Sequence, residues 1–322
     1  MKAIRVERTG GPEVMQSVDL PDPQPKANEA VVKVAAAGVN SIDAHFRDGS
    51  YKMPLPFVPG QEGAGVVTTI GAGVKSVKVG DRVAWSGTLG SYAEYVAGSA
   101  DSLVPVPALV SDQDAAASML QGMTAHYLCH DAYKLKPGDT ALVHAAAGGV
   151  GLLLVQMAKN LGARVIGTVS SEEKARFARE VGADDVIIFT KTDFEAETKR
   201  LTDGKGVDVV YDGVGKATFE KGLNVLRLRG MLVLFGASSG PVPPVDPTTL
   251  SDKGSLYMAR TTLAHFTATR DELVARSGEV FAMIATGQLK PKVAKTYALA
   301  EAQQAHRDLE ARKVTGKLIL IP

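Results

Sequence analysis

The sequence predicts an α/β protein in which a β-rich first third is followed by a doubly wound parallel sheet. Three observations carry that prediction. From about residue 138 onward, short apolar runs alternate with amphipathic helical segments in a repeating βα rhythm. Several of the apolar runs are hydrophobic on both faces, as strands covered by helices on both sides must be. Before that point helical pattern is scarce, and β-branched or aromatic runs are punctuated by Gly, Pro and Asp. A chain of 322 residues has room for two domains.

Taken in order, strands are expected over 31–34, 65–70, 81–85 and 91–96, forming a compact, barrel-like antiparallel unit. Ser111-Asp112-Gln113-Asp114 has the form of a variant capping box and opens an alanine-rich helix through 115–119. The alternating region predicts strand 140–145, helix 150–161, strand 164–169, helix 172–181 and strand 186–189. Helix 194–201, strand 207–212, helix 217–226 and strand 231–236 complete it. Beyond the Ser-Ser-Gly-Pro-Val-Pro-Pro stretch at 238–244 the rhythm falters. Strand 255–260, helices 271–288 and 299–312, and a closing strand 317–321 remain. This tail is too small to stand alone, so the expected division is 1–123, 124–264, and 265–322 returning to complete the first domain.

Composition narrows the function classes. The chain is 45% hydrophobic and 22% charged, which suffices for a core without staples. Lys and Arg total 36 against 35 Asp and Glu, a net charge of +1 that gives no broad footprint for nucleic acid or an anionic membrane. Cys129 is the only cysteine, which excludes intramolecular disulfides and multi-thiolate zinc sites and fits a reducing compartment. No run approaches the ~18 apolar residues of a membrane span and the N-terminus lacks a signal-peptide core, so a cytoplasmic location is expected.

Ala145-Ala146-Ala147-Gly148-Gly149-Val150-Gly151 lies between the first strand and first helix of the alternating series. A small-residue turn there lets a pyrophosphate approach the helix N-terminus, whose free N–H groups and dipole stabilise anionic oxygens. Ala146, Gly148 and Gly151 hold the positions of the G-x-G-x-x-G fingerprint, so its first glycine is missing. An NAD-specific site places an acid at the tip of the second strand. Here that tip reads Val169-Ser170-Ser171, with Lys174 one helical turn on. Room, hydroxyls and an ammonium favour a 2′-phosphate, hence NADPH over NADH, although a solvated surface lysine would look the same. His126 and His130 share a helical face, but the position where a zincin needs Glu is Tyr127, and packing histidines are the simpler reading.

Gly38-Val39-Asn40-Ser41-Ile42-Asp43, Pro59 to Val67, Val79-Gly80-Asp81-Arg82-Val83, the glycine turn and Phe235 to Gly240 together resemble the medium-chain dehydrogenase/reductase superfamily. Within it, the chain is similar to the zinc-independent, zeta-crystallin-like quinone oxidoreductases, almost end to end. The resemblance implies a GroES-like catalytic domain at 1–123 and 265–322, and a Rossmann NADPH-binding domain at 124–264. In the superfamily's zinc alcohol dehydrogenases a cysteine and a histidine occupy the positions of Asn40 and Gln61, so the resemblance implies no catalytic zinc. Glu62 reads as a paired structural carboxylate.

A quinone or conjugated enone is already electrophilic and can accept reducing equivalents without a Lewis acid, given donors near its oxygen. By resemblance, Asn40 and Tyr51 are the catalytic residues. Asn40, Tyr127, Gly148, Gly149, Val150, Gly151, Ser170, Ser171, Lys174 and Phe189 would contact the cofactor, followed by Val214, Phe235, Gly236, Ala237, Ser238, Thr261 and Arg312. Phe189 and His45 stand where relatives often have tyrosine. Phe189 can still pack on an adenine, and His45 reads most simply as exposed. NADPH-dependent reduction of quinones is the leading expectation. Reduction of α,β-unsaturated carbonyls is the alternative, and a non-catalytic RNA-binding or crystallin-like role is a third. A homodimer through the last strands of the cofactor domain is also implied. The residues do not choose between hydride and single-electron transfer.

Overall fold

The computed structural model describes residues 1–312 and 314–322. It divides into two compact units, Met1–Met123 with Thr267–Pro322, and Thr124–Phe266.

In chain order the first unit opens with β1 (Lys2–Val6) and β2 (Met15–Asp19), paired antiparallel. β3 (Glu29–Val39), α1 (Ser41–Asp48), β4 (Glu62–Ile70), β5 (Arg82–Ser86), β6 (Tyr95–Ser99), β7 (Val104–Pro105) and α2 (Asp112–Tyr127) follow. The second unit carries β8 (Thr140–Val143), α3 (Gly149–Asn160), β9 (Arg164–Val169), α4 (Glu172–Glu180), β10 (Asp185–Ile188) and α5 (Phe194–Leu201). It continues through β11 (Val207–Asp212), α6 (Phe219–Asn224), β12 (Leu226–Leu234), α7 (Thr248–Asp252) and β13 (Tyr257–Arg260). The chain then returns to the first unit as α8 (Arg270–Ala285), β14 (Val293–Ala298), α9 (Ala302–Glu310) and β15 (Lys317–Ile321).

The first unit's sheet runs β14-β15-β3-β4-β5-β7, with β6 also paired to β3. β15 lies antiparallel to the end of β3, Leu318 opposite Val39, which brings the last residues of the chain beside Gly38 to Asn40. β3 is far longer than the expected 31–34. Its second half, Ala35 to Gly38, lacks β-branched residues and shows no strand signal of its own. Pairing imposes the extension: Ala36 faces Ala64 and Ala37 faces Gly63 across β4. The ring of Trp85 fills the space above Gly63, where a Cβ would come within 2.4 Å.

β6 begins at Tyr95 rather than Ser91, because Ser91 and Tyr92 turn back to donate N–H bonds to Gly60 and Pro59. Helix α1 is absent from the sequence expectations. Its start is capped by Asp43, whose Oδ2 accepts the Asn40 N–H at 2.9 Å, and Gly49 ends it at φ +87°. The capping box before α2 forms as expected: Asp114 N–H donates to Ser111 Oγ at 3.0 Å, and that hydroxyl donates to Asp114 Oδ2 at 2.7 Å. The helix itself runs on to Tyr127 and ends in a π-turn over Leu128–Ala132, with the His126 and His130 rings stacked at 4.2 Å.

The second unit's sheet is wholly parallel, in the order β10-β9-β8-β11-β12-β13. This is the order of a dinucleotide-binding doubly wound fold, whose strand sequence reverses between β8 and β11. Leu142, Ile166, Val210 and Leu232 form its centre, covered by Phe194, Phe219 and Leu223 from the helices. α6 is shorter than expected and β12 starts at Leu226, five residues early. Arg227 reaches across to Asp208 on β11 at 2.5 Å beside the Leu226–Val207 pair, after which the register shifts and resumes with Met231 opposite Val209.

Candidate active site

In the second unit the expected cofactor residues gather at the carboxyl ends of the strands. Ala145 adopts the left-handed region at φ +52°, and Gly148 N–H returns to its carbonyl at 2.8 Å, closing the turn after β8. Gly151 has no substitute: a Cβ there would lie 2.3 Å from the Ala145 oxygen. Gly148 caps α3 with no side-chain acceptor, and the first helical turn carries no acid, so its N–H groups suit an anion. The missing first glycine also has an explanation. The Ala146 methyl lies against Gly167 of β9, where an added Cβ would approach it to 2.8 Å. A bare backbone one strand over makes the room.

At the tip of β9, Ser171 caps α4 by accepting the Lys174 N–H at 3.3 Å, and the Lys174 ammonium reaches back to Ser170 Oγ at 3.2 Å. Thr190 donates to the Ser170 carbonyl at 3.1 Å, and Phe189 beside it is 52% exposed. Glu172, in the first turn of α4, is engaged by Lys191 at 3.0 Å. Thr190 and Lys191 were missed in the sequence because they lie twenty residues from the serines and only the β9–β10 pairing brings them there.

After β11, buried Asp212 accepts N–H bonds from Val214 and Gly215 on Oδ1, and the Thr218 hydroxyl on Oδ2. Phe235 N–H donates to the Asp212 carbonyl, and Ser238 N–H to that of Gly213. A Cβ on Gly236 would stand 2.5 Å from the Gly213 oxygen, so glycine lets these two loops zip together and carries Val214 and Phe235 to Ser238 with them. Tyr127 and Thr261 share a hydroxyl–hydroxyl hydrogen bond of 3.0 Å, and the Tyr127 ring stacks on Phe266 at 4.2 Å.

The first unit contains a different site. Asn40 is 3% exposed, Lys317 2% and Glu62 0%. Lys317 Nζ donates to Asn40 Oδ1 at 2.6 Å and to Glu62 Oε2. Asn40 Nδ2 donates to Glu62 Oε2 at 2.8 Å and, more loosely, to the Gly38 carbonyl at 3.4 Å. Glu62 Oε1 accepts the Leu120 N–H at 2.6 Å, and Gln121 Nε2 approaches Asn40 Oδ1 at 3.4 Å. The two charges set the amide's orientation. At ~1.5–3 kcal/mol per charge-assisted hydrogen bond, turning it over would forfeit about 3–6 kcal/mol. Lys317 carried no functional assignment in the sequence. It is the first residue of a strand expected only to complete the fold.

Beside this cluster, Asp43 Oδ2 also accepts from the Tyr92 hydroxyl at 3.2 Å. Arg47, a donor only, supplies Nη1–H to His306 Nδ1 at 3.0 Å and a second bond to Glu310. His306 therefore carries its proton on Nε2 and donates it to Tyr92 at 3.1 Å. Burial drives the Asp43 carboxyl up to about 7, the Asn40 N–H and Lys317 only partly opposing it. Burial, then the Arg47 cation, hold His306 down at about 3.

Tyr51 is 46% exposed on the loop after α1, its ring 5.2 Å from that of His45. The expectation of an exposed His45 is corrected: the ring is half-buried against Tyr51, and its Nδ1 is buried with no protein partner. Arg312 follows α9 at φ +53°, its N–H bonded to the Leu309 carbonyl. The donors present do not fit a zinc ion. Position 40 offers an amide whose oxygen already receives an ammonium, position 61 offers another amide, and among the described residues no three of His, Cys, Asp and Glu gather to hold a metal.

Residues 149–276 match the family described as zinc-binding dehydrogenase, and residues 26–108 the alcohol dehydrogenase GroES-like domain. The chain is 45% identical over 326 residues to quinone oxidoreductase 1 of Escherichia coli, covering 99% of this chain and 100% of that protein. It is 45% identical over 323 residues to the quinone oxidoreductase of Pseudomonas aeruginosa, covering 100% and 99%. The crystal structure of Escherichia coli quinone oxidoreductase complexed with NADPH matches with a TM-score of 0.97 at 44% identity, over 100% of both chains.

Proposed function

The chain belongs to the medium-chain dehydrogenase/reductase superfamily, among its quinone oxidoreductases, and from that premise we propose how its residues reduce a quinone with NADPH without a metal. The observation that carries the proposal is the pairing of a dinucleotide turn, with a lysine at the 2′-phosphate position, with a buried amide and ammonium where zinc ligands would stand. Bound NADPH supplies the reducing equivalent from its nicotinamide.

The residues divide the remaining work. N–H groups at Gly149, Val150 and Gly151 hold the pyrophosphate, and the Ser170 and Ser171 hydroxyls with the Lys174 ammonium hold the 2′-phosphate. Phe189 offers an exposed ring to the adenine. Val214, Phe235 to Ser238, and the Tyr127–Thr261 pair line the rest of the nucleotide, and Arg312 contributes a cation. Asn40 and Tyr51 donate hydrogen bonds to the acceptor's oxygen, stabilising the negative charge that develops there. The same enzyme acts without zinc, in the cytoplasm, and as a homodimer. The dimer reading is supported by β13, an edge strand whose Tyr257 and Met258 are exposed and whose outer side has no partner among the described residues.

Oxidation of NADPH against benzoquinone, naphthoquinones, enones and simple aldehydes, with and without a chelator, tests this function. Chelator-insensitive turnover of quinones is expected. Chelator-sensitive turnover of simple aldehydes in place of quinones would refute it.

A further inference from the structure

A buried lysine is rare unless it is paired, and Lys317 is paired twice, once with an acid and once with the amide assigned to the acceptor. The backbone makes way for it. At Gly38 an added Cβ would meet Glu62 Oε2 at 2.3 Å and Lys317 Cε at 2.8 Å, so a bare α-carbon there admits the pair. Four separate stretches converge on this point: the end of β3, the start of β4, the middle of α2 and the start of β15.

We propose that Lys317 is the positive charge of the acceptor site and acts through Asn40, fixing the carboxamide and strengthening its N–H toward the acceptor's oxygen. An ammonium bonded to Oδ1 at 2.6 Å draws electron density toward the amide oxygen, and hydrogen bonds in such a chain reinforce one another. Nδ2 then has two N–H groups. One is committed to Glu62 at 2.8 Å, while the other makes only the 3.4 Å contact with the Gly38 carbonyl, which an incoming oxygen can displace. Glu62 holds the lysine in place and keeps the buried charge balanced. Lys317 is thus a positioning residue, supplying by way of an amide the polarisation that a metal ion would supply directly.

The inference rests on quinone reduction, and its test separates the two. Lys317→Met, Asn40→Ala, the Asn40→Ala/Lys317→Met pair and the charge-balanced Glu62→Gln/Lys317→Met pair are compared with wild type. The readouts are kcat over benzoquinones of graded reduction potential, NADPH affinity by fluorescence titration, and melting temperature. We expect Lys317→Met to lower kcat by about 10–100-fold, most for the weakest acceptors, with NADPH affinity unchanged. The charge-balanced pair should recover melting temperature but not kcat, and Lys317→Met should cost little more once Asn40 is alanine. Recovery of kcat together with stability would show that the lysine only neutralises Glu62 and would overturn the inference. So would equal losses for all quinones, or multiplicative effects of Asn40→Ala and Lys317→Met. Wild-type protein that binds NADPH yet reduces no quinone would instead overturn the functional reading itself, and this inference with it.

Discussion

Replacing Lys174 by alanine is expected to lower the preference for NADPH over NADH by about 10–30-fold. The Lys174 ammonium stands 3.2 Å from Ser170 Oγ at the tip of β9, where the proposed function puts the 2′-phosphate. The Glu172 carboxylate in the first turn of α4 is taken up by Lys191. A charge-assisted hydrogen bond contributes ~1.5–3 kcal/mol, and partial exposure reduces the figure to ~1.5–2. At about 1.4 kcal/mol per factor of ten, this gives the stated range. NADH carries no 2′-phosphate, so its kcat/KM should hold steady. The assay is kcat/KM for both nucleotides at low and high salt. The wild-type preference should shrink as salt rises and the variant's should hardly move, because exposed charges are screened beyond ~10 Å at 0.1 M. Ser170→Asp should reverse the preference outright. A Lys174→Ala enzyme with an unchanged ratio, or with equal losses for both nucleotides, would refute the reasoning.

Two further predictions concern stability and assembly. Asp43 has its pKa raised to about 7 on folding, so its contribution to stability falls as pH rises from its unfolded value toward 7. His306 is held at about 3, so its contribution rises with pH up to the unfolded histidine value. Between about pH 4 and 6.5 the Asp43 slope opposes that of His306 and that of buried His144, whose pKa burial also lowers. Asp43→Asn removes the falling one, so in urea denaturation the variant's stability should rise with pH more steeply than that of wild type, by ~1.4 kcal/mol per pH unit across that window. An Asn variant with the wild-type slope would contradict the assignment. In sedimentation velocity, wild type should run as the proposed dimer, and Tyr257→Asp with Met258→Lys should convert it to monomer. A dimer that survives both changes would place the interface elsewhere than β13.

The sequence alone determined the alternation of strands and helices in the second unit, because burial on both faces of a parallel sheet writes continuous apolar runs into the chain. β9 and β11 match their expected limits for that reason. The place of the glycine turn after β8, and of Ser170 and Ser171 at the tip of β9, was legible too, since both stretches are local in sequence. What tertiary structure alone decided was set by long-range pairing. The second half of β3 is extended because β4 and β15 hold it, although alanine and glycine have no preference for strands. Ala146 replaces glycine because Gly167, on the next strand, leaves room for its methyl. Lys317 meets Asn40 across a separation of 277 residues, and a lysine at the start of a closing strand carries no local mark of burial. Periodicity reports which face of an element is buried. Which charge stands opposite which amide is fixed only when the closing strand β15 pairs with β3.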